Sequence, residues 1–508
     1  MPETPDLNQQ IADARALRGR YLADPHRPGY HFVVPEGVHA PVDPNGALFW
    51  NGRYHLCYIF QHEGKHYWGH VSSVDLVHWR QHPPALAPGD GDDGIFSGGA
   101  CVDQDGTAVI TYWGLGQPDG ICLATSTDPQ LDRWVKCPQN PVLPSTGGTG
   151  WAQTPDGRVY GTADPSAIWY ANGRYHMVTG NLLVLQEFGQ KRKQAEHLGD
   201  TVYLFTSDDL VHWEYRDEFY RSDRAWTRDF EDDMCPDFFP LPASPEGGPP
   251  SDRHMLLFIS HTLGCQYYLG RYAEDRFHPE THGRMTWVDN EFFAPESLVD
   301  PAGRRIMWSW VFDRREKATR EASGWSGELS LPRLLWLGED GTLRLRPVPE
   351  LERLRYNERR HCFSVGPEKE VTLPDIAGNC LELALEILPG PRAECGVKVC
   401  ASPGGEEETV ISYDPTGLLK IDTRRSSLGE GPKVVEAAPF TLAPGEPLFL
   451  RVFVDRSFVE VFANDRQAVV RRIYPTRPDS VGVRLIARGG AAQVPRLRAW
   501  DMMPSNAW

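Results

Sequence analysis

Ser73-Val74-Asp75-Leu76-Val77-His78-Trp79 recurs as Ser207-Asp208-Asp209-Leu210-Val211-His212-Trp213, and a looser copy runs from Ser126-Thr127-Asp128 through Leu131 to Trp134. A second element, Asn-Gly-Arg-Tyr-His, stands at Asn51 to His55 and again at Asn172 to His176. Asn-Gly between apolar runs is the strongest short-range hairpin signal, because both central residues of the tight turn need positive φ. Hairpin units repeated at this size read as the blades of a propeller. In that reading the Trp of each copy packs between blades and the Asp holds a turn, so the copies are structural. Around them, short runs rich in Val, Ile, Tyr, Phe and Trp alternate with turn clusters, and the 508 residues include 48 Gly and 43 Pro. The fold class is all-β.

The chain divides into four stretches. Residues 1–24 read as an N-terminal helical extension, with a helix over Leu7 to Ala23 and Asp6 as its N-cap. Residues 25–349 carry the propeller. Residues 350–361 are charged and read as a linker with helical character. Residues 362–508 read as an antiparallel β-sandwich: Leu448 to Asp455 alternates after an apolar start, and Phe458 to Phe462 sets one charge among apolar neighbours.

Apolar residues make up 40% and charged residues 24%, the balance of a globular chain. Lys plus Arg number 52 against 69 Asp plus Glu, a formal net charge of −17 that repels nucleic acid and anionic lipid. The densest basic runs, Lys191-Arg192-Lys193 and Arg471-Arg472, read as solvated faces or sheet edges. The ten cysteines form no CxxC pair and no zinc spacing, and read as buried small hydrophobes or free thiols. There is no phosphate loop, dinucleotide fingerprint or nucleophile elbow. No cofactor, metal, nucleic-acid partner or membrane is therefore expected. Met1 to Asp6 opens without a cationic or apolar leader, which gives a cytoplasmic expectation by default.

Three acidic stretches stand out. Asp43-Pro44-Asn45-Gly46 precedes Ala47 to Trp50, Asp164-Pro165 precedes Ala167 to Tyr170, and Glu231-Asp232-Asp233-Met234-Cys235-Pro236-Asp237 runs into Phe238-Phe239. The first two also read as plain turns. The third is costly to bury, so it is either solvated or a site with perturbed pKa values.

Taken in order, these stretches resemble glycoside hydrolase family 32, the invertase, inulinase and levanase group. The similarity continues through Tyr54 to Tyr58, Phe60-Gln61, Trp68-Gly69-His70, Phe96-Ser97-Gly98, Phe293 to Ser297, Gly324 to Gly327 and Asp455 to Pro475. It implies a five-bladed propeller followed by a β-sandwich, and retaining hydrolysis of β-fructofuranosides by two carboxylates. It also implies Asp43 as nucleophile, Asp164 as transition-state stabiliser, and Asn45, Gln61, Phe96 and Ser97 as sugar contacts. Trp50, Trp68 and Trp113 are candidates to stack on a sugar ring, Trp68 foremost.

The chain departs from the family pattern twice. Ala163 stands where the family carries Arg before the stabiliser, and Met234 stands where it carries the acid/base Glu before Cys-Pro-Asp. A thioether cannot transfer a proton. Glu231, with its longer reach, and Asp232, on the Met234 face by strand alternation, are the candidate replacements. Two other readings stay open: an acid that is absent, leaving a catalytically weak sugar-binding protein, and a different furanoside substrate. Fructosyl transfer is a further enzyme alternative.

Overall fold

The structure is a computed structural model and describes residues 6–185, 199–221, 224–429 and 431–506. The basic run Lys191-Arg192-Lys193 lies outside the described residues. The chain forms two compact units: Ala40–Val311 with Leu331–Glu350, and Met1–His39 with Phe312–Ser330 and Leu351–Trp508.

The first unit is a β-propeller. Among the described residues it contains five antiparallel sheets of four to six strands and a two-stranded ribbon, Trp151–Gln153 with Val159–Gly161. Strands at the head of these sheets touch one another in a closed circuit. Pro44–Trp50 meets Ala100–Val102, whose partner Ala108–Gly116 meets Ala163–Pro165; the circuit continues through Met234–Pro242 and Phe292–Val299 back to Pro44–Trp50. The repeats do what their composition demands. Asn51 and Gly52 have φ of 46° and 80°, Asn172 and Gly173 of 52° and 79°, the left-handed pair that closes a two-residue hairpin. Asp75 accepts the backbone N–H groups of Val77 and His78, and Asp209 those of Val211 and His212. Trp79 meets Trp308 of another sheet edge-on at 6.1 Å.

The second unit is a β-sandwich, with two six-stranded antiparallel sheets among the described residues. A helix over Leu7–Ala23, capped by the Asp6 carboxylate on the Asn8 N–H, belongs to it. Tyr21, Val33 and Trp325 share one apolar cluster, and the His31 ring bonds Asp455 at 2.9 Å and Glu460 at 3.2 Å. These contacts are why residues 25–39 and 312–330 group with the sandwich, although chain order puts them in the propeller stretch. The stretch read as a linker helix is a short 3₁₀ turn, Pro349–Leu354, followed by an edge strand, Arg355–Val365. Arg471 and Arg472 end Gln467–Arg472, which is a sheet edge but no solvated face. Both are fully buried, paired with Glu436 at 2.9 Å and Glu328 at 3.0 Å. All ten cysteines are free thiols. No helix among the described residues is long and apolar enough to cross a membrane.

Candidate active site

Asp43 stands at the entry to Pro44–Trp50. Its carbonyl accepts the Ile59 N–H and the Asn45 side-chain amide. Asn45 in turn accepts the Gly98 N–H at 3.0 Å, which ties this turn to Phe96-Ser97-Gly98. Gly98 is obligatory there, since a Cβ would fall 2.0 Å from the Thr111 carbonyl oxygen. Ser97 donates its hydroxyl to Asp43 Oδ2 at 2.7 Å, whereas Oδ1 is buried with no hydrogen-bond partner.

Asp164 occupies a bulge at φ 45°, a conformation that a non-glycine residue holds only at a cost. Its Oδ1 also lacks a partner. Cys235, likewise left-handed at φ 50°, brings the two acids to one point: its Sγ is 3.5 Å from Asp164 Oδ2 and 4.0 Å from Asp43 Oδ2. Burial raises both carboxyl pKa values. For Asp43 the Ser97 hydroxyl and the charge of His261 oppose the rise. For Asp164 the negative charge of Asp43 adds to burial and carries the value to about 7. Ala163, in the place of the family's Arg, is fully buried. Among the described residues the cationic group acting on both acids is a histidine.

The acidic run does not lie in a strand. The strand begins at Met234, so alternation does not orient residues 231–233. Glu231 and Asp232 are both completely buried, and neither offers a free carboxyl to a sugar. Glu231 is paired with Arg284 at 2.9 Å and bonded by Gln266 at 2.6 Å. Asp232 accepts the His261 N–H at 3.1 Å and the ring Nδ1 at 2.8 Å. Both candidates for the acid/base are therefore corrected: each is used up by a partner that its burial requires. Asp233 has two buried oxygens without partners and a pKa pushed well up by burial and by Asp200, Asp232 and Glu231, not by Asp43 or Asp164.

Trp68 is also corrected. It has no exposed surface, donates Nε1–H to the Phe96 carbonyl at 3.0 Å and packs under Gly46 as a floor, so no sugar can stack on it. Trp50 donates to the Asp128 carbonyl and Trp113 to Asp119. Phe96 is half-buried, beside His66 at 4.5 Å and Trp113 at 5.4 Å. Gln61 donates to the Ala40 carbonyl and contacts His66. Two residues here carried no role in the sequence reading. Cys235 lay inside a quoted motif and could have been found there. His261, in the hairpin turn before Gly264, has no local signal.

A ring of inner strands delivers two buried carboxylates to one thiol, and a sandwich follows in the chain. Residues 31–347 match the glycosyl hydrolases family 32 N-terminal domain and residues 350–501 the family 32 C-terminal part, so the chain belongs to glycosyl hydrolases family 32 and is a glycosidase. It is 28% identical to a β-fructofuranosidase, insoluble isoenzyme CWINV5, of Arabidopsis thaliana, over 95% of this chain and 93% of that protein. It is 29% identical to a levanase of Bacillus subtilis, over 97% and 73%. In fold it is similar to fructan 1-exohydrolase IIa from Cichorium intybus, with a TM-score of 0.80 at 24% identity over 95% and 98% of the two chains; a mutant of that protein is in complex with 1-kestose.

Proposed function

We propose that this chain hydrolyses β-fructofuranosides, in the range of sucrose, fructo-oligosaccharides and fructan ends, with retention of configuration. Asp43 attacks the anomeric carbon and carries the fructosyl group as an ester. Asp164 accepts hydrogen bonds from fructose hydroxyls and tightens on them as oxocarbenium character develops. The observation that carries this reading is the pair of unpartnered oxygens, Asp43 Oδ1 and Asp164 Oδ1, on two buried acids that share the Cys235 sulfur. An unsatisfied buried carboxylate is expensive unless a ligand completes it. Ser97 holds the other oxygen of Asp43 and leaves the free one to react.

The test is release of free fructose from sucrose, 1-kestose and levan by the wild-type protein, with the first-formed anomer followed by NMR. Fructose released initially as the β anomer, and not by Asp43→Asn, is the expected result. No release from any of the three overturns the reading.

A further inference from the structure

The segment that lacks its glutamate lies beside a different proton carrier: Met234 precedes Cys235, whose sulfur meets both acids, and pairs across the sheet with the strand that leads to His261. His261 follows Ile259-Ser260, and Ile259 is the direct cross-strand partner of Met234. The residue is anchored through its backbone and its ring. Asp232 takes its backbone N–H and its Nδ1, Asn290 donates to its carbonyl at 2.6 Å, and Phe293 packs edge-on at 5.5 Å. Solvent reaches 42% of the His261 side chain but none of the Asp232 side chain behind it. Among the described residues, Nε2 has no hydrogen-bond partner. An imidazole whose Nδ1–H is held by a buried carboxylate, with Nε2 unpartnered on a solvent-exposed ring, is oriented for proton transfer at Nε2.

We propose that His261, oriented by Asp232, is the general acid and base of this site, in place of the glutamate that Met234 displaces. The proposal rests on the β-fructofuranosidase reading above. In the first step Asp43 attacks the anomeric carbon. The bond to the leaving oxygen breaks with its electron pair on that oxygen, which takes the proton from His261 Nε2 and departs as a neutral alcohol. In the second step the neutral imidazole takes a proton from water as the water oxygen attacks the same carbon. The ester bond breaks, its pair returns to the Asp43 carboxylate, and His261 is again an imidazolium. The electrostatics agree. Burial works against the imidazolium, but the Asp232 carboxylate and its hydrogen bond, with Asp164 and Asp43, carry the pKa above the usual histidine value. Phe293 and Asn290, which also touch His261, bring no charge. Asp232 is a positioning residue.

The experiment compares kcat/KM on sucrose, whose leaving alcohol needs a proton, with kcat/KM on 4-nitrophenyl β-D-fructofuranoside, whose leaving phenolate does not. The parameter reports the fructosyl-transfer step alone. His261→Gln should lose about 10²–10⁴-fold on sucrose and less than about tenfold on the aryl substrate, which also shows that the variant is folded. The alkaline limb of the sucrose profile should disappear in His261→Gln and move to lower pH in Asp232→Asn. Equal losses on both substrates, or no loss on sucrose, overturn His261 while leaving the β-fructofuranosidase reading intact. Wild type inert on both of these and on 1-kestose and levan overturns that reading and the proposal together.

Discussion

Two carboxylates of the sandwich unit and two of the propeller unit are buried in opposite ways. In the sandwich unit, Asp455 and Glu382 are satisfied. Asp455 accepts the backbone N–H groups of Gly29, Tyr30 and His31 and the His31 ring. Burial pushes its pKa up, but these bonds hold it below the ordinary value. Glu382 lies between Arg355 and Arg451, and its pKa too is lowered despite burial. In the propeller unit, Asp43 and Asp164 each keep a bare oxygen and a raised pKa. A buried anion with four donors braces a fold, whereas one with a missing donor waits for a ligand. The difference separates acids that brace the fold from the two acids of the candidate site.

Four substitutions probe that contrast, in order of expected size. With Asp43 as the proposed nucleophile, Asp43→Asn should lower kcat on fructosides by on the order of 10⁴–10⁶-fold, since the rest of the site acts with it as one unit. Steady-state rates with the fold checked by circular dichroism measure this. Asp455→Ala should cost the sandwich unit about 3–5 kcal/mol in urea unfolding, because it strands a buried histidine and three N–H groups. That contribution is complete at neutral pH and is lost as acid protonates Asp455 through its lowered folded pKa.

Asp164→Asn should do the reverse. In the folded chain Asp164 titrates near 7, against 3.8 for a free carboxyl, so the folded state holds the extra proton between those values and wild-type stability falls as pH rises through that window. Removing the acid removes the loss. The variant should be more stable than wild type by about 1–3 kcal/mol at pH 8, with little difference at pH 4, while its kcat falls. Equal effects at both pH values would break the contrast between the units. Glu231→Gln should be the mildest for catalysis. Its carboxyl is engaged by Arg284, so kcat/KM should drop less than about tenfold, with the alkaline limb unmoved.

Much of this was legible in the chain itself. The Asn-Gly hairpins, the Asp-Leu-Val-His-Trp turns and the Leu7–Ala23 helix are local, and each forms where its residues point. Asp43, Asn45, Ser97 and Asp164 converge as the ordered motifs implied. What failed was judged by local rules where distant partners decide. Arg471 and Arg472 look like a solvated pair, yet Glu436 and Glu328 bury them. Trp68 looks like a sugar platform, yet it is the floor beneath Gly46. Glu231 and Asp232 look like spare acids beside an empty place, yet Arg284 and His261 claim them.

Sequence alone determined the all-β class and the propeller-then-sandwich order, because turn chemistry and strand patterning act over a few residues, and the ordered motifs singled out the two acids as candidates. Tertiary structure alone decided which charges are free. Whether a carboxylate ends bare or bonded depends on groups up to hundreds of residues away, such as His31 on Asp455, and no local pattern encodes that pairing.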